Sequence, residues 1–239
     1  MISVIIPTRD SQSTLAATLE SLIPAAVDGL VREVIVTDGG SKDATLTIAD
    51  SFGATVVSSD AARASRLNAG AQLAKSEWLL FLDPDCLLQF GWEREVERFV
   101  AKIDVGVGAP TAAAFRFTLQ DRTWSARAAE LAAYLSSAGM GIVHCEQGLL
   151  IPRSLYVEVG GFANHDDLEF ADLSQRLGRK RIARLRAISL GQSKEPQTEY
   201  GKTLLKHYAN LALFTLINPT RRSSTQPTQL VSPTPPTTI

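Results

Sequence analysis

The sequence predicts an α/β fold in which helices cover both faces of a mostly parallel, twisted sheet. Apolar runs rich in β-branched residues recur in the first third of the chain, at Ile2–Ile6, Val31–Thr37, Ala54–Val57 and Trp78–Leu82. Stretches with helical spacing separate these runs, at Ser13–Ile23, Ala44–Phe52 and Ala64–Ala74. Near-continuous apolar strands that alternate with helices are typical of a parallel sheet buried on both faces.

The alternation of strands and helices becomes less regular after residue 85. We expect helices at Phe90–Ile103 and Leu168–Leu177, and strands at Ala113–Leu119 and Gly141–Ile151. The predicted organisation is one domain over residues 1–200, a helix over 201–218 and a disordered tail over 219–239. The tail is rich in Pro, Thr and Ser, so it has too little apolar surface to offset the entropy cost of ordering.

Composition narrows the class of protein. A chain of 239 residues of which 45% are hydrophobic can bury a sizeable core. The 24 basic and 25 acidic side chains nearly cancel, which gives no reason to expect nucleic acid as a partner. Two cysteines and three histidines without zinc-binding spacing argue against a disulfide scaffold and a zinc site. Because no secretory signal is recognisable, we expect a cytoplasmic location.

Two carboxylates follow the fourth predicted strand. Asp83 and Asp85 are separated by Pro84, and this spacing lets both side chains approach one divalent cation that also binds diphosphate oxygens. An Asp-x-Asp triplet is also common in ordinary polar turns. The triplet alone therefore leaves a metal site and a turn as two open interpretations.

The first two predicted strands also end in polar residues. Asp38 precedes two glycines and is placed either to accept hydrogen bonds from a base or ribose or to cap the next helix. Pro7 and Thr8 fit a nucleotide-binding turn or a plain connection. Ligands of parallel sheets bind beyond the carboxyl ends of the strands, so we expect these residues to lie near Asp83.

Together these elements resemble glycosyltransferase family 2, whose members share a strand-Pro-Thr opening, a strand-Asp-Gly-Ser-x-Asp element and an Asp-x-Asp after the fourth strand. The family's Asn-x-Gly element is present as Asn68-Ala69-Gly70. The resemblance covers roughly residues 1–190 and implies the GT-A fold, with a nucleotide-sugar half over 1–90 and an acceptor half over 91–200. The short chain also resembles a compact subgroup associated with radical-SAM and selenium-type domains.

The resemblance implies transfer of a sugar from a nucleotide-diphosphate sugar, with a UDP-sugar favoured, to an acceptor hydroxyl in the presence of Mg²⁺ or Mn²⁺. By the same resemblance Pro7, Thr8 and Asp38 contact the base and ribose. Asp83 contacts the ribose and diphosphate, and Asp85 binds the metal.

Arg63 and Arg66 precede Asn68 on one predicted helix, and their spacing places them on the same face. All three residues are candidates for contacts with the donor. A solvated helix face is the alternative for the two arginines.

An inverting transfer needs a carboxylate that removes the proton of the acceptor hydroxyl. Asp166 and Asp167 open a predicted helix where the family has a Glu-Asp pair, so the resemblance makes Asp167 the base and leaves the role of Asp166 open. Acidic residues are also favoured at helix N-termini without any catalysis. Glu146-Gln147-Gly148 resembles the family's Asp-Gln-Gly element beside the acceptor.

Other functions fit the sequence less well. The first strand is followed by Pro7–Asp10 instead of a Gly-rich phosphate loop, which argues against a Rossmann oxidoreductase and a sugar nucleotidyltransferase. Walker and nucleophile-elbow motifs are absent from the sequence. A catalytically inactive nucleotide-sugar-binding or scaffold protein remains an alternative, because Asp166 departs from the family pattern.

Charge is unevenly distributed along the chain. Residues 1–175 carry a net charge of −10, whereas residues 176–222 carry +9. The basic run Arg176–Arg186 precedes an apolar stretch at 202–218 that is shorter than a membrane span. That stretch fits a core helix or an interfacial helix, and the second interpretation predicts peripheral contact with an anionic membrane. The oligomeric state is not predicted.

Overall fold

The computed structural model describes residues 1–59, 61–106, 109–120, 123–165 and 168–192, together with Thr203, Lys206 and Tyr208. In these residues eight strands form one sheet, in the order β3-β2-β1-β4-β7-β6-β8-β5. The strands are β1 (Ile2–Thr8), β2 (Val31–Asp38), β3 (Thr55–Ser58), β4 (Trp78–Phe81), β5 (Cys86–Leu88), β6 (Ala112–Leu119), β7 (Leu149–Pro152) and β8 (Ile182–Gly191).

Helices connect most of these strands. They are α1 (Leu15–Glu20), α2 (Ile23–Val27), α3 (Thr45–Ser51), α4 (Arg63–Leu73), α5 (Trp92–Asp104), α6 (Trp124–Leu135), α7 (Arg153–Glu158) and α8 (Glu169–Leu177). A π-helical turn follows α6 at Ser136–Met140, and short 3-10 turns occur at Cys145–Gln147 and Arg179–Arg181.

The first four strands form the predicted parallel sheet. β1 pairs in parallel with β2 on one side and β4 on the other, and β2 pairs in parallel with β3. In this register Pro7 lies opposite Thr37, and Thr8 lies opposite Asp38. The strand ends that carry these residues therefore meet at one edge, as the sequence predicts, and the α/β fold is confirmed.

Two apolar layers cover the opposite faces of the sheet. Ile2, Val4 and Ile6 of β1 pack with side chains of α1 and α5, whereas Ile5 packs with side chains of α4, α7 and α8. Successive side chains of a strand point to opposite faces, so a strand buried on both sides is apolar at nearly every position.

The second half of the sheet is mixed. β7 is antiparallel to both β4 and β6, β6 is parallel to β8, and β8 is antiparallel to β5. Only Leu149–Pro152 of the segment around the predicted strand Gly141–Ile151 is a strand, because Gly141 and Gly148 adopt positive φ angles and a 3-10 turn lies between them.

The segment between β4 and β5 crosses the mouth of the sheet. β5 begins only a few residues after β4, yet it lies at the far end of the strand order, so the sheet must curl. The hydroxyl of Thr18 donates to the carbonyl of Pro84 at 2.9 Å, and the N–H of Gln192 donates to the carbonyl of Asp85 at 2.8 Å. These bonds fix the backbone of the Asp-Pro-Asp segment from two sides.

The C-terminal part of the chain is described at three residues only. Thr203, Lys206 and Tyr208 are helical, and Tyr208 is buried against a small cluster that includes Ala129 of α6. The rest of the predicted helix 201–218 and the predicted tail 219–239 lie outside the described residues. None of the helices in the described part combines the length and apolar character that a membrane span requires.

We expect Gly70→Ala to lower the free energy of unfolding by about 1–3 kcal/mol, the usual cost of overpacking a core. An added Cβ at Gly70 would lie 2.6 Å from Cγ2 of Ile5 and 3.0 Å from Cγ2 of Thr37. Urea unfolding measures the effect. The matched control is Gly139→Ala, where an added Cβ meets no atom within 4 Å. Equal unfolding free energies for the two variants would contradict the close packing of α4 on the sheet.

Candidate functional site

The carboxylate of Asp38 organises the edge of the sheet. It is buried and accepts hydrogen bonds from the hydroxyls of Thr8 and Ser41 at 2.9 and 2.5 Å. It also accepts from the N–H groups of Gly40 and Ser41 at 2.9 and 2.8 Å. Burial alone would raise the pKa of Asp38, but the hydrogen bonds from Ser41, Thr8 and Gly40 outweigh burial and lower it. Asp38 is therefore an ionised centre that shapes the loop after β2.

The loops after β1 and β2 are joined by hydrogen bonds. The N–H of Asp10 donates to the hydroxyl of Ser41 at 2.8 Å, and the carboxylate of Asp10 accepts from the N–H of Lys42 at 2.8 Å. The N–H of Ser11 donates to the hydroxyl of Thr45 at 2.7 Å. Because each loop satisfies backbone groups of the other, the two loops form one continuous rim beside Thr8.

Arg66 lies on this rim. Its Nη1 donates to the carbonyl of Thr8 at 3.1 Å, and an added Cβ at Gly39 would lie 1.5 Å from the same nitrogen. The side chain is buried, and its Nε has no hydrogen-bond partner among the described residues. Burial and the charges of Arg63 and Arg9 lower the pKa of Arg66 in spite of the attraction of Asp38. The absence of a side chain at Gly39 is what lets the guanidinium reach the strand ends.

Arg63, one helical turn earlier, joins three elements of the site. Its guanidinium forms an ion pair with Asp83 after β4 and lies 3.8 Å from Glu169, the first residue of α8. It also lies 5.5 Å from the centroid of the Phe170 ring. Burial alone would lower the pKa of Arg63, but the attraction of Asp83, Cys145 and Glu169 raises it. Arg63 therefore connects the segment after β4 with the start of α8.

Asp85 lies near charges of its own sign, whereas Arg63 lies near charges of the opposite sign. Burial, together with the negative charges of Asp83 and Glu146, raises the pKa of Asp85 to about 7, and the positive charge of Arg63 offsets this only in part. Glu146 belongs to the 3-10 turn before β7, where its carbonyl accepts hydrogen bonds from Ser189 at 2.7 Å and from Cys86 at 3.3 Å. The turn thus holds a third carboxylate near Asp83 and Asp85.

The donor atoms around Asp85 fit a hard divalent cation. Carboxylate oxygens are the ligands that Mg²⁺ and Mn²⁺ prefer, and a cation would relieve the repulsion that raises the pKa of Asp85. In the described residues no group of three or more His, Cys, Asp and Glu side chains is arranged to hold a metal. The protein therefore offers a partial ligand set, as Mg²⁺ sites that share their ion with a substrate diphosphate do.

Asn68 is used by the protein itself. Its amide nitrogen donates to the carbonyl of Phe162 at 2.8 Å, and its oxygen accepts from the N–H of Phe162 at 3.0 Å and from the hydroxyl of Tyr156. The side chain thus satisfies both backbone groups of Phe162, in the loop after α7, as a neighbouring strand would. These contacts make Asn68 a positioning residue between α4 and that loop, and its expected contact with the donor stays a prediction.

Asp166 and Asp167, the predicted catalytic pair, lie outside the described residues. The helix that follows them begins at Glu169, which is buried and lies at 3.8 Å from Arg63. Glu169 is not among the site residues predicted from the sequence. Its signal is the spacing of Glu169, Asp172 and Arg176 on a helix that is otherwise largely apolar, which is typical of an ion-pair network on a buried helix.

The fold and the site define a class of protein. A curled α/β sheet with carboxylates and arginines gathered at the carboxyl ends of its parallel strands is the GT-A architecture of glycosyltransferases. Residues 3–137, more than half of the chain, match the model of Glycosyl transferase family 2. The chain belongs to this family and is therefore a glycosyltransferase.

Similar proteins include two curated relatives. Glucosyl-3-phosphoglycerate synthase of Mycolicibacterium paratuberculosis is 46% identical over 61 residues, which cover 26% of this chain and 18% of that protein. An uncharacterized glycosyltransferase of Haemophilus influenzae is 35% identical over 88 residues, 36% of this chain and 29% of that protein. The matches thus span less than a third of the length of either relative.

Solved structures show the same fold over most of the chain. Glucosyl-3-phosphoglycerate synthase from Mycobacterium tuberculosis in complex with Mn²⁺ and UDP-glucose superposes with a TM-score of 0.64 at 21% identity, covering 94% of this chain and 80% of that one. TarS residues 1–349 from S. aureus gives a TM-score of 0.59 at 16% identity, covering 92% and 73%. At these identities the likeness establishes the fold.

We expect Asp85→Asn to change how stability depends on pH. The pKa of Asp85 is about 7 in the folded protein and near 3.8 in the unfolded chain, so the folded state binds this proton more tightly. The wild type therefore loses stability as pH rises from about 4 to about 7, and the asparagine variant lacks that loss. Urea unfolding in EDTA across this range tests it. Asp50→Asn, which removes an exposed carboxyl, is the control; parallel curves for wild type and Asp85→Asn would contradict the prediction.

Proposed function

We propose that the protein is an inverting glycosyltransferase that moves a sugar from a nucleotide-diphosphate sugar to an acceptor hydroxyl with the help of a divalent cation. The observation that carries the proposal is the meeting of Asp38, Asp83, Asp85, Arg63 and Arg66 at one edge of the sheet. Complexes of glucosyl-3-phosphoglycerate synthase with Mn²⁺ and UDP or UDP-glucose support a UDP-sugar as donor and Mn²⁺ or Mg²⁺ as the metal.

The donor would bind along the rim formed by the first two loops. Pro7 and Thr8 end β1 beside Asp38 and supply the wall for the base and ribose. Arg66 offers a buried Nε that lacks a partner among the described residues, and an anionic diphosphate would complete its hydrogen bonds. The same anion would relieve the repulsion between Arg66 and Arg63. Asp83 is held by Arg63 and faces the ribose and diphosphate.

Asp85 would hold the cation, whose charge offsets the negative charge that develops on the departing nucleoside diphosphate. The protein's own contribution is to keep Asp85 in place. Hydrogen bonds from the N–H of Gln192 and from the hydroxyl of Thr18 fix the backbone of the segment that carries it, and Asp83 and Glu146 add negative charge around it. Such a site repels a second anion until a cation is present, so we infer that metal and donor bind together.

Asp167 would act as the base that removes the proton of the acceptor hydroxyl. It precedes Glu169 by two residues, and the 3.8 Å distance between Glu169 and Arg63 supports this role. Asp166 stands where the family has Glu, and we propose no separate chemical step for it. In-line attack of the activated hydroxyl then inverts the anomeric configuration.

The proposal keeps the division of the chain into a donor half, residues 1–90, and an acceptor half, residues 91–200. The acceptor would approach past the turn Cys145–Gln147, which lies next to Asp85. The Asn68-Ala69-Gly70-Ala71 element also supports a place in the compact subgroup associated with radical-SAM and selenium-type domains. We propose a cytoplasmic enzyme because Cys86 and Cys145 are both free thiols.

Donor binding gives one test. A thermal-shift screen of nucleotide sugars should show that a UDP-sugar with Mn²⁺ raises the melting temperature more than either alone, because ligands that bind the native state stabilise it.

Gly39→Ala should weaken donor binding about tenfold, the value of one charge-assisted hydrogen bond, since its Cβ displaces Arg66. Gly139→Ala is the matched control and should bind normally. Unchanged donor affinity in Gly39→Ala would remove Arg66 from the donor site.

Transfer itself gives the second test. Asp167→Asn should lower kcat by about 10²–10⁴, the usual contribution of a general base, and leave donor affinity intact. Asp85→Asn should abolish the effect of Mn²⁺ on donor binding.

Proton NMR of the first product reports the anomeric configuration, and retention would overturn the inverting mechanism. Donor binding without turnover on any acceptor would instead identify a nucleotide-sugar-binding scaffold.

A further inference from the structure

Helix α6 has an unusual distribution of side chains. Its inward face carries small residues, the buried Ala126, Ala129 and Ala133. Its outward face carries large apolar residues, Trp124, Leu131, Tyr134 and Leu135, which are 76%, 56%, 57% and 56% exposed. Their spacing of seven, three and one residues places them along one side of the helix. We call these four residues the outer stripe.

The outer stripe borders a basic groove. A cavity of about 1020 Å³ lies between α6 and the strands β6 and β8. Leu131 and Tyr134 of the stripe line it, and so do four arginines, Arg116, Arg127, Arg184 and Arg186, with Glu130 as the acidic member. Arg127 pairs with Glu130 at 2.6 Å, and the guanidinium of Arg184 lies 5.5 Å from the centroid of the Tyr134 ring. The groove therefore has an excess of positive charge next to exposed aromatic and aliphatic side chains.

Positive charge continues around the C-terminal end of α6. An added Cβ at Gly141 would lie 2.8 Å from Cα of Arg179, so the turn after α6 packs directly on the Arg179–Arg181 turn. Arg179 and Lys180 are exposed, and Met140 beside them is 42% exposed. Exposed apolar and basic side chains thus also occur together at the C-terminal end of this region.

We infer that the outer stripe and the arginines of the groove form a surface that docks on a bilayer containing anionic phospholipids. Trp and Tyr with neighbouring leucines are the side chains that settle at the boundary between headgroups and acyl chains. Arginines bind phosphate oxygens through paired N–H donors, and basic residues at a membrane surface add attraction to anionic lipids. The outer stripe supplies the apolar side chains, and the neighbouring groove supplies the arginines.

Other occupants explain fewer of these features. A small anion in the groove would use the arginines, but it would leave Trp124 and Leu135, which lie outside the groove, in water. A second copy of the chain in a two-fold dimer would place this basic surface against itself, and like charges across an interface oppose association. A phospholipid bilayer satisfies the apolar stripe and the basic groove together. The inference does not depend on the proposed transfer reaction.

The tryptophans of the chain offer a direct readout. Trp78 and Trp92 are only 2% and 1% exposed, so Trp124 is the tryptophan that water reaches. Vesicles of phosphatidylcholine mixed with phosphatidylglycerol should shift the emission of the full-length protein to shorter wavelength and protect it from acrylamide. Pure phosphatidylcholine should do so less, and added salt should reverse the effect because it screens exposed charges. Trp124→Phe should abolish the shift while vesicle sedimentation still reports binding.

Variants test the contributions of the outer stripe and of the arginines of the groove separately. Leu131→Ser should weaken sedimentation with mixed vesicles about tenfold, since burying a leucine is worth about 1.5 kcal/mol or more. Arg184→Gln should weaken it about fivefold, since one arginine near an anionic surface contributes about 1 kcal/mol. The matched controls are Val157→Ser, an apolar residue on α7 that is 65% exposed, and Arg32→Gln, an exposed arginine on β2. All four positions are on the surface, and near-UV circular dichroism checks that the variants fold.

Three results would overturn the inference. The first is the absence of any binding to mixed vesicles at low salt. The second is binding that the control variants weaken as much as Leu131→Ser and Arg184→Gln do, which would place the contact elsewhere. The third is a stable dimer in which Trp124 is already protected from acrylamide before vesicles are added, which would assign the outer stripe to a protein interface.

Discussion

The balance of charge at the carboxyl edge of the sheet is the constraint on which the site depends. Acidic side chains reach this edge from four separate elements: Asp38 from β2, Asp83 and Asp85 from the segment after β4, Glu146 from the turn before β7, and Glu169 from α8. Burying a charge without a partner is costly. The site meets the cost in different ways, because Asp38 is satisfied by hydrogen bonds and Asp83 by Arg63, whereas Asp85 is left with two like charges beside it.

That remaining imbalance separates structural carboxylates from functional ones. A lowered pKa, as for Asp38, marks a charge that the fold already stabilises, and such a group has little left to give a ligand. A raised pKa, as for Asp85, marks a carboxyl whose charge the fold does not stabilise, so that a proton or a bound cation can neutralise it. The two arginines differ in the same way. Arg63 is paired with Asp83, whereas Arg66 is repelled by the positive charge of Arg63. In the function proposed above, the member of each pair that the protein leaves unsatisfied is the one that would contact the metal or the donor.

The first half of the sheet could be predicted because its strands are local and strongly patterned. β1 and the second half of β2 are buried on both faces and end at Thr8 and Asp38, so their order and the position of their polar ends follow from the sequence. The second half of the sheet could not be predicted as well. β5 has three residues and finds its partner β8 about a hundred residues later, and no local periodicity reports such a pairing. The roles of Asn68 and Glu169 depend on Phe162 and Arg63, contacts that only the folded chain brings together.

The basic run Arg176–Arg186 shows why a charge pattern in sequence is weaker evidence than a charge pattern on a surface. In the structure Arg176 pairs with Asp172 and Arg181 pairs with Glu158, so both are part of the scaffold. β8 then alternates, with Leu185 in the core and Arg184 and Arg186 in the groove beside α6. The run thus divides by secondary structure into residues that hold the fold and residues that face outward, and only the second set can act on a partner. Attraction to an anionic surface therefore follows from the exposed arginines of β8 and the exposed side of α6 together, because they share one face of the molecule although about fifty residues separate them in the chain.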